Sequence, residues 1–417
     1  MRNSNILIIF LILVITFITS ISTISFSQDK SIEELYFQGV DLLENKKQYE
    51  EALTYFQQII ELDPVHAEAH FQIGKIFRTT RQFEKAITYY QNAINLKPDY
   101  SSAYYGLGLA YLELQKNKDA LEAFKEAVRS KPDFASAHYG LGLAYNELER
   151  HDEAIAAFQQ ALLLDPKDAQ TYYGLGITYE QIGEYQKSID NFEKAVQLQP
   201  DYGKAFYHLG MNYRKMEKYP EAVESLDKAA NFLPDSAGEI YYTIGMIYRK
   251  MENNETAIEN FKKATQKNPQ YADAFFYLGW LSNKKGDYEK TIEAYQEVIR
   301  INPDYTYIHY NLGWAYGELK KYQEAIGAFK EAVKQNPEDA DAHYGLGWTY
   351  SQLKDYEKAV ESFKQVIRIK PDYTFAHYSM GMIHLVQGDK NAALNEYKIL
   401  KDLDKKTADQ LFDMIYK

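Results

Sequence analysis

The sequence predicts an all-α protein, a solenoid of about eleven helix-turn-helix units ending in a capping helix, and three observations carry that prediction. Glycine recurs 34 or 35 residues apart, from Gly39 through Gly74, Gly108, Gly142, Gly176, Gly210, Gly245, Gly279, Gly313 and Gly347 to Gly381. Ten of the eleven prolines fall on one phase of that repeat, from Pro64 to Pro371. Each unit also holds two stretches of helically spaced apolar residues around a short polar break. Self-similarity of this kind overrides the two or three globular domains that 417 residues would otherwise suggest.

The chain begins with a different pattern. Arg2 and the α-amine precede an apolar run from Ile6 to Ile15, which weakens through Thr16 to Ile24. Small residues two apart, Ser25 and Ser27, then stand before Gln28, where polarity begins. A basic start, an apolar centre and a small-x-small exit describe a signal peptide over residues 1–27, so the expected location is exported: periplasmic, cell-surface or secreted. The alternative is an uncleaved anchor, since residues 6–26 are long enough to span a bilayer and would then tether the protein to a membrane. The serine- and threonine-rich second half suits a cleavage region better than a hydrocarbon core.

Within a unit the phase has a physical reading. Twelve or thirteen residues after the glycine comes a small side chain, such as Ala52, Ala120, Ala154 or Ala325, with Ser188 and the bulkier Thr291 as variants. Four residues further stands a large ring, such as Phe56, Phe124, Phe158, Phe329 or Phe363. The glycine and the alanine remove bulk where two antiparallel helices cross, and the ring points toward the next unit. Proline ends the second helix because it has no amide proton and disfavours a helical residue before it. The aspartate after it (Asp99, Asp133, Asp201, Asp304, Asp372) is expected to cap the next helix.

These residues resemble the tetratricopeptide repeat family, whose pattern is met by Tyr104, Leu107, Gly108, Tyr111, Ala120, Phe124 and Pro132 and by their counterparts in nearly every unit. The resemblance covers residues 32–406 and implies a right-handed superhelix that presents the first helix of each unit on its concave side. Departures are local: Ser282 and Thr291 in the eighth unit, Leu226 in the sixth, and the missing closing proline in the eleventh. Residues 407–417 then offer Ala408, Leu411, Phe412 and Ile415 on one face of a capping helix that covers the last unit.

Composition narrows the function classes. A formal charge of −12 argues against bulk attraction to nucleic acid. The absence of cysteine removes disulfides, thiolate metal sites, cysteine nucleophiles and a lipidated cysteine together. The units abut with at most one extra residue, leaving no space for an inserted catalytic domain, so the sequence reads as a non-enzyme with no cofactor. His66 and His70 have the i, i+4 spacing of a two-histidine metal site but no third ligand, and no metal is expected. Histidine four residues before the glycine (His70, His138, His309, His343, His377) reads as a packing ring.

Candidate binding residues lie on the first helices. The residue three before the glycine is always aromatic, Tyr310 and Tyr344 among them, and architecture accounts for most of the 38 tyrosines. The residue after the glycine is Trp280, Trp314 and Trp348 in three consecutive units, and these are all the tryptophans in the chain. Stacked first helices would set them in a row about 10 Å apart, presenting about 600 Å² of apolar surface. The competing reading is that they pack against second helices. Arg214 and Lys215, and one unit later Arg249 and Lys250, form a basic band suited to an acidic peptide segment, or else a solvated face paired to neighbouring carboxylates. Glycines two before the repeat glycine (Gly106, Gly140, Gly174, Gly345) are expected to leave room for a ligand near the backbone. The family's clamp for C-terminal carboxylates, with lysine and asparagine at these positions, is not matched. The expected function is a scaffold for protein or peptide partners that mediates complex assembly on the exported side of a membrane. Glycan or peptidoglycan recognition by the tryptophan row is the alternative.

Overall fold

A computed structural model describes residues 31–416, and the predicted signal segment (residues 1–27) and tether (6–26) lie outside them. The described chain is built of helices in repeat register and divides into two compact bodies, 31–217 and 218–416. In the first body the helices are 31–41 (α1), Tyr49–Leu62 (α2), Ala67–Thr79 (α3), Phe83–Leu96 (α4), Ser101–Glu113 (α5) and Asn117–Ser130 (α6). They continue with Ala135–Glu147 (α7), His151–Leu164 (α8), Ala169–Gln181 (α9), Tyr185–Leu198 (α10) and Gly203–Lys215 (α11). The second body holds Tyr219–Phe232 (α12), Ala237–Lys250 (α13), Asn254–Lys267 (α14), Ala272–Lys284 (α15), Tyr288–Ile301 (α16) and Ile308–Glu318 (α17). It ends with Tyr322–Gln335 (α18), Ala340–Gln352 (α19), Tyr356–Ile369 (α20), Thr374–Val386 (α21), Lys390–Leu403 (α22) and Lys405–Tyr416 (α23). Among the described residues no helix is long and apolar enough to cross a membrane.

Two turn types join these helices, each with a cause in the sequence. Between the helices of one repeat, a residue in the left-handed region reverses the chain. Gln115 has φ 57°, and its amide and that of Lys116 bond back to Leu112 and Tyr111. Glycine takes this place at Gly183, Gly286 and Gly388. Between repeats the residue before proline is extended, as at Lys131 (φ −145°) before Pro132, because the proline ring excludes the helical conformation there. The longer step into Gly245 is taken up by a short 3-10 turn, Pro234–Ser236.

The aspartates after these prolines do not act as caps. The capping position falls one residue later, at Tyr100, Phe134, Tyr202 or Tyr373, and three later at Tyr307 after Asp304, and none of these caps through its side chain. Where that later position is itself aspartate it does the work: Asp168 accepts from the amides of Gln170 and Thr171, and Asp339 from those of Asp341 and Ala342.

The core is a line of rings between small residues. Phe124, Phe158, Phe192, Phe261, Phe329 and Phe363 are fully buried, as are Ala120, Ala154, Ala257, Ala325 and Ala359. Each ring lies against glycines. A Cβ on Gly108 would come within 2.6 Å of Phe124, and one on Gly140, in the next repeat, within 2.4 Å of the same ring. The room at Gly106, Gly140, Gly174 and Gly345 is therefore occupied by Tyr90, Phe124, Phe158 and Phe329 of the preceding repeat. This corrects the expectation that these glycines make space for a ligand.

At the C-terminal end α23 packs on α21 and α22, burying Ala408, Leu411 and Ile415. Leu411 rests on Gly381, where a Cβ would meet it at 2.6 Å. Phe412 departs from that face: it is 40% exposed and lies against Tyr397 and Tyr416.

Candidate functional site

Within each body, first helices approach their counterparts in the next repeat: α3, α5, α7, α9 and α11 in the first, and α17, α19 and α21 in the second. Successive second helices make no comparable approach, so the first helices form the inner, more tightly spaced face. In most repeats the aromatic three before the glycine lies on that face and leans on the core ring of its own repeat. Tyr139 sits 5.8 Å from Phe158, Tyr310 6.1 Å from Phe329 and Tyr344 5.5 Å from Phe363, centroid to centroid. A second tyrosine, from the loop entering the next repeat, covers several of them, as Tyr373 covers Tyr344 at 5.4 Å. The Tyr305 and Tyr373 hydroxyls donate to Asp273 and Asp341, each at 2.7 Å. Burial, with those hydrogen bonds, holds both phenols protonated well above their usual range. Most of this tyrosine content is therefore architecture.

The three tryptophans do not form an even row. Trp314 and Trp348 are in contact, with ring centroids 5.2 Å apart and planes tilted by 41°. Trp314 also meets Phe329 edge-on at 5.6 Å and Tyr310 at 6.3 Å. Trp348 reaches back onto α17, where a Cβ on Gly317 would lie 2.8 Å from the indole. Gly317 had no place among the sequence candidates, although its position in α17 is filled in other repeats by longer side chains such as Leu112, Asn146 or Arg214. Trp280 makes no ring contact with the pair. It stands beside Tyr277, flanked by the Arg249 guanidinium at 5.9 Å and the Lys284 ammonium at 5.7 Å. The 10 Å spacing fails because Gly317 lets one indole cross to its neighbour. All three rings are partly buried, as are Tyr310 and Tyr344 on the same face. Beside Trp348, between α19 and α21, lies a cleft of about 280 Å³ walled by Tyr356, Tyr378, Met382, Ile383 and Val386.

The basic residues are placed separately, two in each body. Arg214 and Lys215 end α11, and Arg249 and Lys250 end α13, where cations favour the helix dipole. Lys215 lies over the Tyr185 ring at 4.7 Å and reaches Glu180 at 3.5 Å. Glu180 also holds His208 at 2.9 Å. Burial works to raise that carboxyl, and the hydrogen bonds and electrostatic attraction of His208 and Lys215 outweigh it, so it titrates below the usual glutamate range. Arg249 stacks over Tyr277 at 5.0 Å, and Lys250 lies over Tyr219 at 5.4 Å.

The histidines before the glycines serve the repeat turns. Nε2 of His70, His138, His343 and His377 lies 2.9–3.1 Å from the carbonyl of the proline six residues earlier. His66 uses Nδ1 to accept the Ala69 amide at the start of α3.

Repeat register, glycine-seated core rings and an inner face of first helices define a helical-repeat binding fold. Sequence profiles agree: one described as tetratricopeptide repeat matches residues 310–374, and one described as TPR repeat matches 245–281 and 283–320. A third, the C-terminal domain of cilia and flagella-associated protein 70, matches residues 33–239. The chain belongs to the tetratricopeptide repeat family. This fold generally mediates protein–protein interaction, and proteins built on it are typically non-enzymatic scaffolds. No curated protein matches the chain significantly. Similar solved structures include YrrB, described as a TPR protein with an unusual peptide-binding site. It is 27% identical over 43% of this chain and 93% of its own, with a TM-score of 0.36. A MamA protein is 31% identical over 40% of this chain and 96% of its own, with a TM-score of 0.36. PilF of Pseudomonas aeruginosa is 20% identical over 53% of this chain and 96% of its own, with a TM-score of 0.41.

Proposed function

We propose that this protein is a scaffold that docks protein or peptide segments on its first-helix face and assembles a complex on the exported side of a membrane. The observation that carries the docking site is the Trp314–Trp348 pair with its adjoining cleft. Partly buried aromatic rings beside an apolar recess are the anchors from which binding hot spots are built. Tyr310 and Tyr344 extend the same face, and Arg249 with Trp280 offers a cation and an aromatic ring for the polar part of a ligand. The exported location rests on the pattern of residues 1–27 alone. Sugar stacking needs an open indole face, whereas Trp314 and Trp348 lie against each other, which favours a peptide side chain in the cleft over a glycan on the row.

The test is selection of peptides from a random library on the full chain, followed by affinity measurement on two variants. Trp348→Ala removes the anchor, and Ser379→Phe fills the cleft with Trp348 left in place. Loss of tenfold or more in affinity by both supports the site. Selected peptides that bind both variants as tightly as the wild type place the docking surface elsewhere.

A further inference from the structure

One first helix begins late. α17 has 11 residues where α15, α19 and α21 have 13, and Tyr307 at its start is in the left-handed region with φ 59°. Most of the non-glycine residues that share this conformation sit in the hairpin turns inside repeats, so Tyr307 is an exception by position. Ile308 is fully buried at a place where α15, α19 and α21 carry Ala274, Ala342 and Ala376. The same place in α13 holds Ile240, equally buried, and that helix starts three residues before it.

A cavity of about 340 Å³ lies between the late start of α17, the end of α18 and the loop into α19. Its lining is rich in acceptors and, among the described residues, contains no basic group: Asp304, Thr306, Tyr307, Tyr310, Gln335 and Asp339. Among the described residues the Asp304 carboxylate has neither a hydrogen bond nor an ion pair. Gln335 spends its amide nitrogen on the Pro303 carbonyl at 3.0 Å, which leaves its amide oxygen as the free end. Asp339 gives one oxygen to the opening amides of α19, and the other is unengaged among the described residues. Tyr307 is 62% exposed at the mouth and Tyr310 is partly buried in the wall. The volume is at the lower end of the ~300–1,000 Å³ of ligand sites.

We propose that this cavity receives a cationic side chain, arginine or lysine, of a bound polypeptide. Carboxylates and amide oxygens accept its N–H groups, and the tyrosine faces attract its charge. A strongly hydrated anion finds only hydroxyls and side-chain amides such as Asn336 as donors and is repelled by two aspartates. The proposal rests on the reading of the first-helix face as a peptide-binding surface, with which the cavity shares Tyr310.

Ligand-observed NMR titration of the full chain tests it, with N-acetyl-arginine methylamide and N-acetyl-lysine methylamide as probes and N-acetyl-norleucine methylamide as the uncharged control. Wild type should prefer the cationic probes to the control by at least fivefold. Asp304→Asn, which disturbs no cap, and Tyr307→Gly, which suits the left-handed backbone, should each abolish that preference, and Trp348→Ala should leave it intact. No preference in the wild type, or a preference that survives both cavity variants, overturns the proposal. Retained cation binding in a chain whose selected peptides ignore Trp348 and the filled cleft would separate the two readings, sinking the tryptophan site and sparing the cavity.

Discussion

Two glycines 18 residues apart should respond to the same substitution with opposite sign. Gly327 lies in α18 with open space where a Cβ would stand, whereas a Cβ on Gly345 in α19 would come within 2.4 Å of Phe329. Alanine in place of a mid-helix glycine stabilises by about 1 kcal/mol through backbone entropy alone, so Gly327→Ala should gain about that much. At Gly345 the same gain is set against overpacking. The ring would have to retreat by about 1 Å to restore ordinary contact, and it is fully buried with Gly313 on its other side, where a Cβ would already be 2.7 Å away. Overpacking of a closed core costs about 1–3 kcal/mol, and a ring clamped on both sides belongs at the upper end, leaving Gly345→Ala about 2 kcal/mol less stable than wild type. Urea unfolding followed by tryptophan fluorescence reads both variants, since Trp280, Trp314 and Trp348 all lie in the same body as the two glycines. Adding Phe329→Leu to Gly345→Ala should recover part of the loss, because the shorter side chain vacates the contested space. A Gly345→Ala protein as stable as Gly327→Ala would refute the claim that the ring dictates glycine there.

His377 carries a pH dependence of determined sign. Its Nε2 meets the Pro371 carbonyl at 3.1 Å and its Nδ1 meets Glu396 at 2.7 Å; a carbonyl and a carboxylate both accept, so the geometry calls for the doubly protonated ring. The Glu396 hydrogen bond raises the imidazole above its ordinary value of 6.5 against the opposing effect of burial. Its stabilisation, about 1.5–3 kcal/mol for a charge-assisted bond, should be full below the unfolded pKa and fade as pH rises through the folded one. The difference in urea midpoint between wild type and His377→Gln should therefore shrink from about pH 5.5 to about pH 8.5; a difference that grows over that span would contradict the assignment. In the first body, Ser188 donates to the Gly176 carbonyl at 2.7 Å and accepts from buried Asn212 at 2.8 Å. Ser188→Ala restores the residue usual in other repeats yet should cost about 1–3 kcal/mol, because it strands the Asn212 amide. Ser188→Ala with Asn212→Ala should recover most of that loss in chemical denaturation, and an undiminished loss in the double variant would show the pair to be uncoupled.

How much of this protein can be read from its residues follows from the one-dimensional nature of a repeat stack. Each unit touches mainly its neighbours, so a residue's phase within the repeat nearly defines its surroundings. Phase alone was enough to find the helix pairs, the closing prolines, the buried alanines and the core phenylalanines, and to predict that Phe124 reaches the following unit. Phase was not enough where a side chain chooses among partners roughly one repeat away. The tryptophans share one position, yet Trp348 crosses to Trp314 over the gap at Gly317 while Trp280 is held between Arg249 and Lys284. The glycines at Gly106 and Gly140 looked like openings and are seats for rings of the preceding repeat. Phase does not mark α17 as the helix that starts late beside a cavity, since Ile308 has a counterpart in Ile240 of α13, which starts on time. Periodic burial is a local property of the chain, legible in order along it. Which neighbour fills a space depends on helix separation and side-chain rotamer, and those are settled only when the layers close on one another.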